Sequence, residues 1–123
     1  MKAKELFTEE LQKQVVAAIE TAELNTSGEV RVHLDDNCKG EVLDRAAYVF
    51  EKLEMHKTDQ RNGVLFYLAV QDKKFAILGD AGINQKVPDN FWEEIKSEVI
   101  ANFKNGDFAG GLSSGIVKAG EQL

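Results

Sequence analysis

Cysteine, proline and tryptophan occur once each in the 123 residues, and no run of lysine or arginine is present. A single cysteine, Cys38, cannot close an internal disulfide. Fifteen basic residues face 21 acidic ones, for a formal net charge of -6. Without a segregated basic patch, that balance repels a phosphate backbone or an anionic membrane surface, so no nucleic-acid partner is expected. The longest apolar run, Val64 to Val70, falls far short of the roughly 20 residues that span a bilayer, and no membrane insertion is expected. Met1-Lys2-Ala3-Lys4-Glu5-Leu6-Phe7 leads into a charged helical pattern without an apolar signal core, which sets the cytoplasm as the expected compartment. Internal repeats and low-complexity tracts are absent too. With 43% hydrophobic residues, the chain can bury one core, and residues 1–123 are read as a single domain and a monomer.

What is present has clear periodicity. Thr8 can cap a helix whose first turn holds Glu9 and Glu10, and Leu11, Val15, Ala18, Ile19 and Ala22 follow at helical spacing. Asn25-Thr26-Ser27-Gly28 breaks it, and Val30, Val32 and Leu34 then alternate with Glu29, Arg31 and His33 as in a strand. After the polar loop Asp35 to Gly40, Leu43, Ala46, Ala47, Phe50 and Leu53 predict a second helix. Gly63 to Val70 reads as a central strand covered on both faces. Gln71-Asp72-Lys73-Lys74 turns the chain, and Phe75-Ala76-Ile77-Leu78 returns as a hairpin partner. A glycine-punctuated loop from Gly79 to Val87 precedes a helix opened by Pro88-Asp89 and carrying Phe91, Trp92, Ile95, Val99 and Phe103. The last predicted helix follows Gly106-Asp107 and buries Phe108, Leu112, Ile116 and Ala119; it reaches Leu123 without a cap signal, which leaves open whether the chain continues. These patterns predict an α/β fold, a three-layer α/β/α sandwich around a small mixed sheet, with a parallel crossover from the first strand to the central one.

Several motifs invite chemical readings. Gly111-Leu112-Ser113-Ser114-Gly115 matches a nucleophile elbow, but it lies inside a predicted helix with both histidines before it, so it reads as helix packing through small residues. Gly79-Asp80-Ala81-Gly82 spells an RNA-clamping loop, yet no basic residues flank it; a turn with positive backbone angles is the expectation. His33 has no second histidine or cysteine at ligand spacing, which argues against zinc, and Trp92 beside Phe91 reads as a helix anchor.

Two groups of oxygen donors remain. Asp35-Asp36-Asn37-Cys38-Lys39-Gly40 begins like a calcium loop at the carboxyl end of the first strand, then places Lys39 at a ligand position and Ala46 where the closing glutamate belongs. Asp35 and Asp36 are therefore the alternative cation site, with Glu41 and Asp44 as further donors. At the opposite sheet edge, topology gathers Glu29, Asp59, Asn62, Asp80, Asn84 and Asp89, the oxygen types a hard divalent cation prefers. The bland reading makes Asp89 a helix cap and leaves Asp59 and Asp80 in solvated turns.

Thr26-Ser27-Gly28-Glu29-Val30-Arg31-Val32, Arg61-Asn62-Gly63-Val64-Leu65 and Phe75-Ala76-Ile77-Leu78-Gly79-Asp80-Ala81-Gly82-Ile83 together resemble the TPM domain pattern, as do Asp89 and Asn105-Gly106-Asp107-Phe108 with Gly111-Leu112. The TPM domain is a module of thylakoid and bacterial envelope accessory proteins, and here it is read as a stand-alone form. The resemblance implies the α/β/α sandwich, divalent-cation binding with Ca²⁺ as the expected ion and Mg²⁺ as the alternative, and acid-phosphatase activity in plant representatives. Many members carry a signal peptide and a transmembrane helix, from which this chain departs. By position the resemblance favours Glu29, Asn62, Asp80 and Asp89; Asp59 and Asn84 join through topology alone. The leading expectation is a cation sensor or accessory module whose glycine-rich loops are ordered by metal. The alternatives are a metal-dependent phosphatase acting on phosphate monoesters, with Arg61 the only basic residue near the site and no nucleophile evident, and a metal-independent module that binds a protein partner.

Overall fold

The computed structural model describes residues 2–24 and 26–123. Asn25, part of the predicted break after the first long helix, lies outside the described residues.

A short helix, α1 (Ala3–Leu6), precedes α2 (Glu9–Glu23). Thr8 Oγ1 accepts the Leu11 N–H, satisfying one of the orphan donors of the first turn as its sequence position predicts. Strand β1 (Glu29–Asp35) is followed by α3 (Val42–Lys52), a helical turn at Met55–Lys57, β2 (Gly63–Ala69) and β3 (Lys74–Gly79). A one-turn helix α4 (Ala81–Asn84), then α5 (Phe91–Lys104) and α6 (Phe108–Gly120), complete the chain. Among the described residues, no helix is long and apolar enough to cross a membrane.

The sheet has the order β1-β2-β3. β1 runs parallel to β2, with Glu29 opposite Gly63 and Asp35 opposite Ala69, and β3 returns antiparallel with Gly79 opposite Val64. Every residue of β2 is buried. Val64, Phe66 and Leu68 face the layer of α2, α5 and α6, whereas Leu65, Tyr67 and Ala69 face α3. Each large apolar side chain so buried contributes about 1.5–3 kcal/mol, which makes this strand the spine of the fold. The result is the predicted three-layer sandwich, with unequal outer layers.

That inequality explains one departure from the predicted pattern. α3 packs on β3 and β2 through Ala46, Val49 and Phe50, with Leu53 half-buried, while Leu43 and Ala47, expected on its apolar face, are exposed. A lone helix over a three-stranded sheet buries only one stripe, and Leu43 lies about 100° around the helix from the half-buried Val42. On the other side, three helices must pack closely. A Cβ on Gly115 would lie 2.8 Å from Val99 Cγ2, and one on Gly111 would lie 2.9 Å from Asn102 Cβ, so the serine-containing motif is the seam between α6 and α5.

α5 begins at Phe91, with Asn90 at the cap position and no side-chain cap bond, so Asp89 does not cap this helix. Asp107 does cap α6, accepting the Gly110 N–H at 3.0 Å.

Candidate functional site

The parallel-antiparallel register brings the start of β1, the start of β2 and the end of β3 to one sheet edge, where segments 58–62 and 79–89 cross. Their main chains are tied directly. The Arg61 carbonyl accepts the N–H groups of Gly82 at 2.8 Å and Ile83 at 3.2 Å, and the Gly63 carbonyl accepts the Asp80 N–H at 2.9 Å. A Cβ on Gly82 would lie 1.8 Å from the Gln60 carbonyl oxygen, and one on Gly79 would lie 2.6 Å from the Trp92 ring. Neither glycine has a positive φ; among the described glycines, Gly40 and Gly106 do. Gly79 and Gly82 are there for close approach of another segment, not for the turn geometry expected from the sequence.

At the crossing, Asp80 meets Arg61. Nε and Nη2 of Arg61 donate to the two carboxylate oxygens at 2.7 and 2.8 Å, and Oδ1 also accepts the Ala81 N–H at 2.8 Å, capping α4. The Asp80 side chain is 7% exposed and that of Arg61 53%. Burial pushes the Asp80 carboxyl up, but the Arg61 and Ala81 hydrogen bonds, with the charges of Arg61 and His56, bring it below the usual carboxylate range. Glu51 and His56 join Arg61 and Asp80 along an open cleft of about 340 Å³. Glu51 and His56 were not singled out from the sequence, because nothing local signals that α3 and the turn after it wall this cleft.

The other predicted donors share the edge but not one coordination shell. Asn62 faces the α6 side, its Nδ2 3.1 Å from a Cβ built on Gly28. It is 1% exposed, and neither amide atom has a hydrogen-bond partner. Asn84 Oδ1 accepts the Trp92 indole N–H at 2.7 Å and its Nδ2 donates to the Gly79 carbonyl at 2.9 Å, which anchors α5 to the loop. Glu29 Oε1 accepts from Arg31 Nε at 3.0 Å, and Asp59 and Asp89 are exposed.

At the opposite edge, Asp35 receives Arg45 Nε at 2.9 Å and the Tyr67 hydroxyl at 2.5 Å, and His33 Nε2 lies 3.0 Å from its other oxygen. The Asp35–Gly40 loop is closed by protein groups. Lys74 Nζ donates to the Cys38 and Gly40 carbonyls, both at 2.9 Å, and Asp72 Oδ2 accepts the Cys38 N–H at 2.7 Å. The ammonium of Lys74 thus sits on carbonyls that a calcium loop would turn toward its ion. Asp36 contributes its carbonyl to the Gln71 N–H at 2.8 Å.

Carboxylate, amide and main-chain carbonyl oxygens are the types a hard divalent cation prefers, but the partnerless amide of Asn62 lies on the α6 side of the sheet, away from the face that Asp80 shares with α3. Among the described residues, no three His, Cys, Asp or Glu side chains converge to enclose a metal. Both Asp80 oxygens are taken up by Arg61 and the Arg61 and Gly63 carbonyls by N–H groups, so these residues do not form a closed shell of protein ligands.

A family model of the TPM domain matches residues 1–122. No curated protein matches the chain. Among solved structures, the NMR structure of the BA42 protein from the psychrophilic bacterium Bizionia argentinensis is similar at a TM-score of 0.89 and 49% identity, covering 99% of this chain and 84% of that one. The N-terminal domain of the cg2496 protein from Corynebacterium glutamicum shares the fold at a TM-score of 0.75 and 12% identity, over 97% of this chain and 75% of that one. With the family model matching almost the whole chain, the chain is a member of the TPM domain family.

Proposed function

We propose that the domain binds a divalent cation, Ca²⁺ foremost, where segments 58–62 and 79–89 cross, and that occupancy sets the conformation of these loops. The observation that carries this reading is the nearly buried Asp80 carboxylate, placed at the contact between two segments whose main chains touch. In this reading Asp80 is the anionic ligand, the exposed Asp59 and main-chain carbonyls of segments 58–62 and 79–89 supply further oxygens, and water completes the shell. The ion would supply two positive charges and a demand for six or more oxygens, drawing these groups together. Gly82 lets the segments touch, so a small change in either one is felt by the other. Such coupling of ion concentration to surface shape suits a sensor or accessory module.

Calorimetric titration of chelator-treated protein with Ca²⁺ and Mg²⁺, with amide chemical shifts followed in parallel, tests the reading. Saturable binding that perturbs residues 57–63 and 79–89 and disappears in Asp80→Asn is expected; no binding at millimolar Ca²⁺ overturns it.

One observation favours an enzyme reading: Arg61, His56 and Asp80 line one cleft, as a site for a phosphate monoester requires of its cation and acid-base groups. Hydrolysis of a generic phosphate monoester, abolished in Asp80→Asn, would establish it; cation binding without turnover would leave the sensor.

A further inference from the structure

The sheet ends in two edge strands, and they are finished differently. At the outer edge of β3, Asn84 Nδ2 takes the Gly79 carbonyl, and Phe75, Ala76 and Ile77 are buried beneath α3 and α5. In β1, burial falls away after Val30, and Arg31 to Asp35 are half-buried or exposed. We infer that the outer edge of β1 is a docking site for an extended basic segment of a partner protein, which adds to the sheet as a further strand beneath α2.

Strand geometry shows which main-chain groups are on offer. The Asp35 carbonyl accepts the Val70 N–H at 2.9 Å from the β2 side, and main-chain groups two residues apart point the same way along a strand. Glu29, Arg31, His33 and Asp35 therefore direct these groups at β2, and Val30, Val32 and Leu34 direct theirs outward. Val30 shows the same parity, since its N–H meets Oε2 of Glu23 at 2.8 Å, from α2 rather than from the sheet. Among the described residues, the outward groups of Val32 and Leu34 meet no such partner. A row of free donors and acceptors is a template for another strand.

The space beside this edge has the shape and charge to receive one. An open groove of about 430 Å³ runs between α2 and β1, lined by Ile19, Glu23, Glu29, Val30, Arg31 and Val32. Ile19, Val32 and Leu34 are half-buried against the core and present apolar surface to alternate side chains of an incoming strand. Above them, α2 carries Glu9, Glu10, Glu20 and Glu23 against the one cation Lys13, so the roof of the groove selects lysine or arginine over acidic residues. Arg31 is already paired with Glu29 at 3.0 Å and leaves that preference intact. A second copy of this chain fits less well. Antiparallel pairing through β1 would place both α2 helices over one seam, with strands about 4.8 Å apart and helices that need about 8–10 Å.

The test follows amide chemical shifts and hydrogen exchange of the wild-type protein, free and with a capped peptide of alternating valine and lysine. In the free protein, the Val32 and Leu34 amides should exchange faster than those of Arg31 and His33. The peptide should shift residues 29–34 saturably below about 1 mM and slow exchange at Val32 and Leu34 by about tenfold or more. The same peptide N-methylated at alternate amides, and a valine–glutamate peptide, should not bind. Glu23→Gln, which can still accept the Val30 N–H, should weaken binding about threefold. Val32→Pro, tolerated where an edge N–H faces outward, should abolish it. The proposal is overturned by the absence of shifts at about 1 mM peptide, by equal binding of either control peptide, or by Val32 and Leu34 amides already protected in dilute free protein. Protection that rises with protein concentration alone would give the edge to a second copy instead. Should Val32→Pro fail to fold, Glu23→Gln and the N-methylated peptide still decide the matter.

Discussion

The hydroxyl of Tyr67, in the middle of the buried central strand, donates to Oδ2 of Asp35 at the end of the neighbouring strand at 2.5 Å. The rings of Tyr67 and His33 stack with centroids 5.8 Å apart, and Arg45 closes the group from α3. Burial pushes the Asp35 carboxyl up, but hydrogen bonds from Arg45, Tyr67 and His33 outweigh it and hold the group at about 2. Burial and the same carboxylate push the Tyr67 hydroxyl well above its ordinary value, so it remains a donor.

This network predicts an acid-sensitive share of stability. The Asp35 carboxyl is depressed from 3.8 to about 2 on folding, so its contribution is present above the unfolded value and is lost as pH falls toward the folded one. Tyr67→Phe should lower stability at neutral pH by about 1–2 kcal/mol. The gap between variant and wild type in urea unfolding should close on acidification from about pH 5 to pH 2. A gap that does not change with pH would mean that the hydroxyl does not assist the ionised carboxylate.

Gly82→Ala tests the loop crossing. Its methyl group would lie 1.8 Å from the Gln60 carbonyl oxygen and 2.7 Å from that of Arg61, main-chain atoms that cannot turn aside. The expected loss is at or above the upper end of the usual overpacking range, about 3 kcal/mol. Hydrogen exchange should speed up at Gly82 and Ile83, whose N–H groups bond to Arg61. Unchanged exchange would show that the crossing tolerates a side chain.

The burial of α3 separates residues that look alike in sequence. Leu43 is 58% exposed and Val49 is 3% exposed. Leu43→Ser should change stability by no more than about 0.5 kcal/mol, and Val49→Ala should cost about 2 kcal/mol. Chemical denaturation of the two variants checks this, and a large loss at Leu43 would contradict the packing described.

Lys74→Met distinguishes the two sheet edges. Losing the ammonium that bonds the Cys38 and Gly40 carbonyls should cost about 1–2 kcal/mol and speed exchange at the Cys38 amide, while Ca²⁺ affinity stays unchanged. Tighter Ca²⁺ binding in this variant would move the cation site to the Asp35–Gly40 loop.

Local chemistry, read along the chain, determined the elements of this protein. Thr8 and Asp107 cap their helices because a short side-chain oxygen reaches the first free N–H groups, a matter of three residues. Alternation in β1 and the unbroken apolar run of β2 follow from one half-covered and one fully covered strand, and the hairpin to β3 follows from the short polar turn between them. Gathering Glu29, Asn62 and Asp80 at one edge needed only the strand directions. What the tertiary structure alone decided is how those residues are used. Strand parity and register turn Asn62 and Asn84 toward the α5 and α6 layer and Asp80 toward α3. Asp80 finds Arg61, 19 residues away, and Tyr67 finds Asp35, 32 residues away. The need for glycine at 79 and 82 arises from Trp92 and Gln60, not from the turn. Periodicity and capping act within a few residues and are written locally, whereas a side chain's partner depends on which distant segments the packed layers press together.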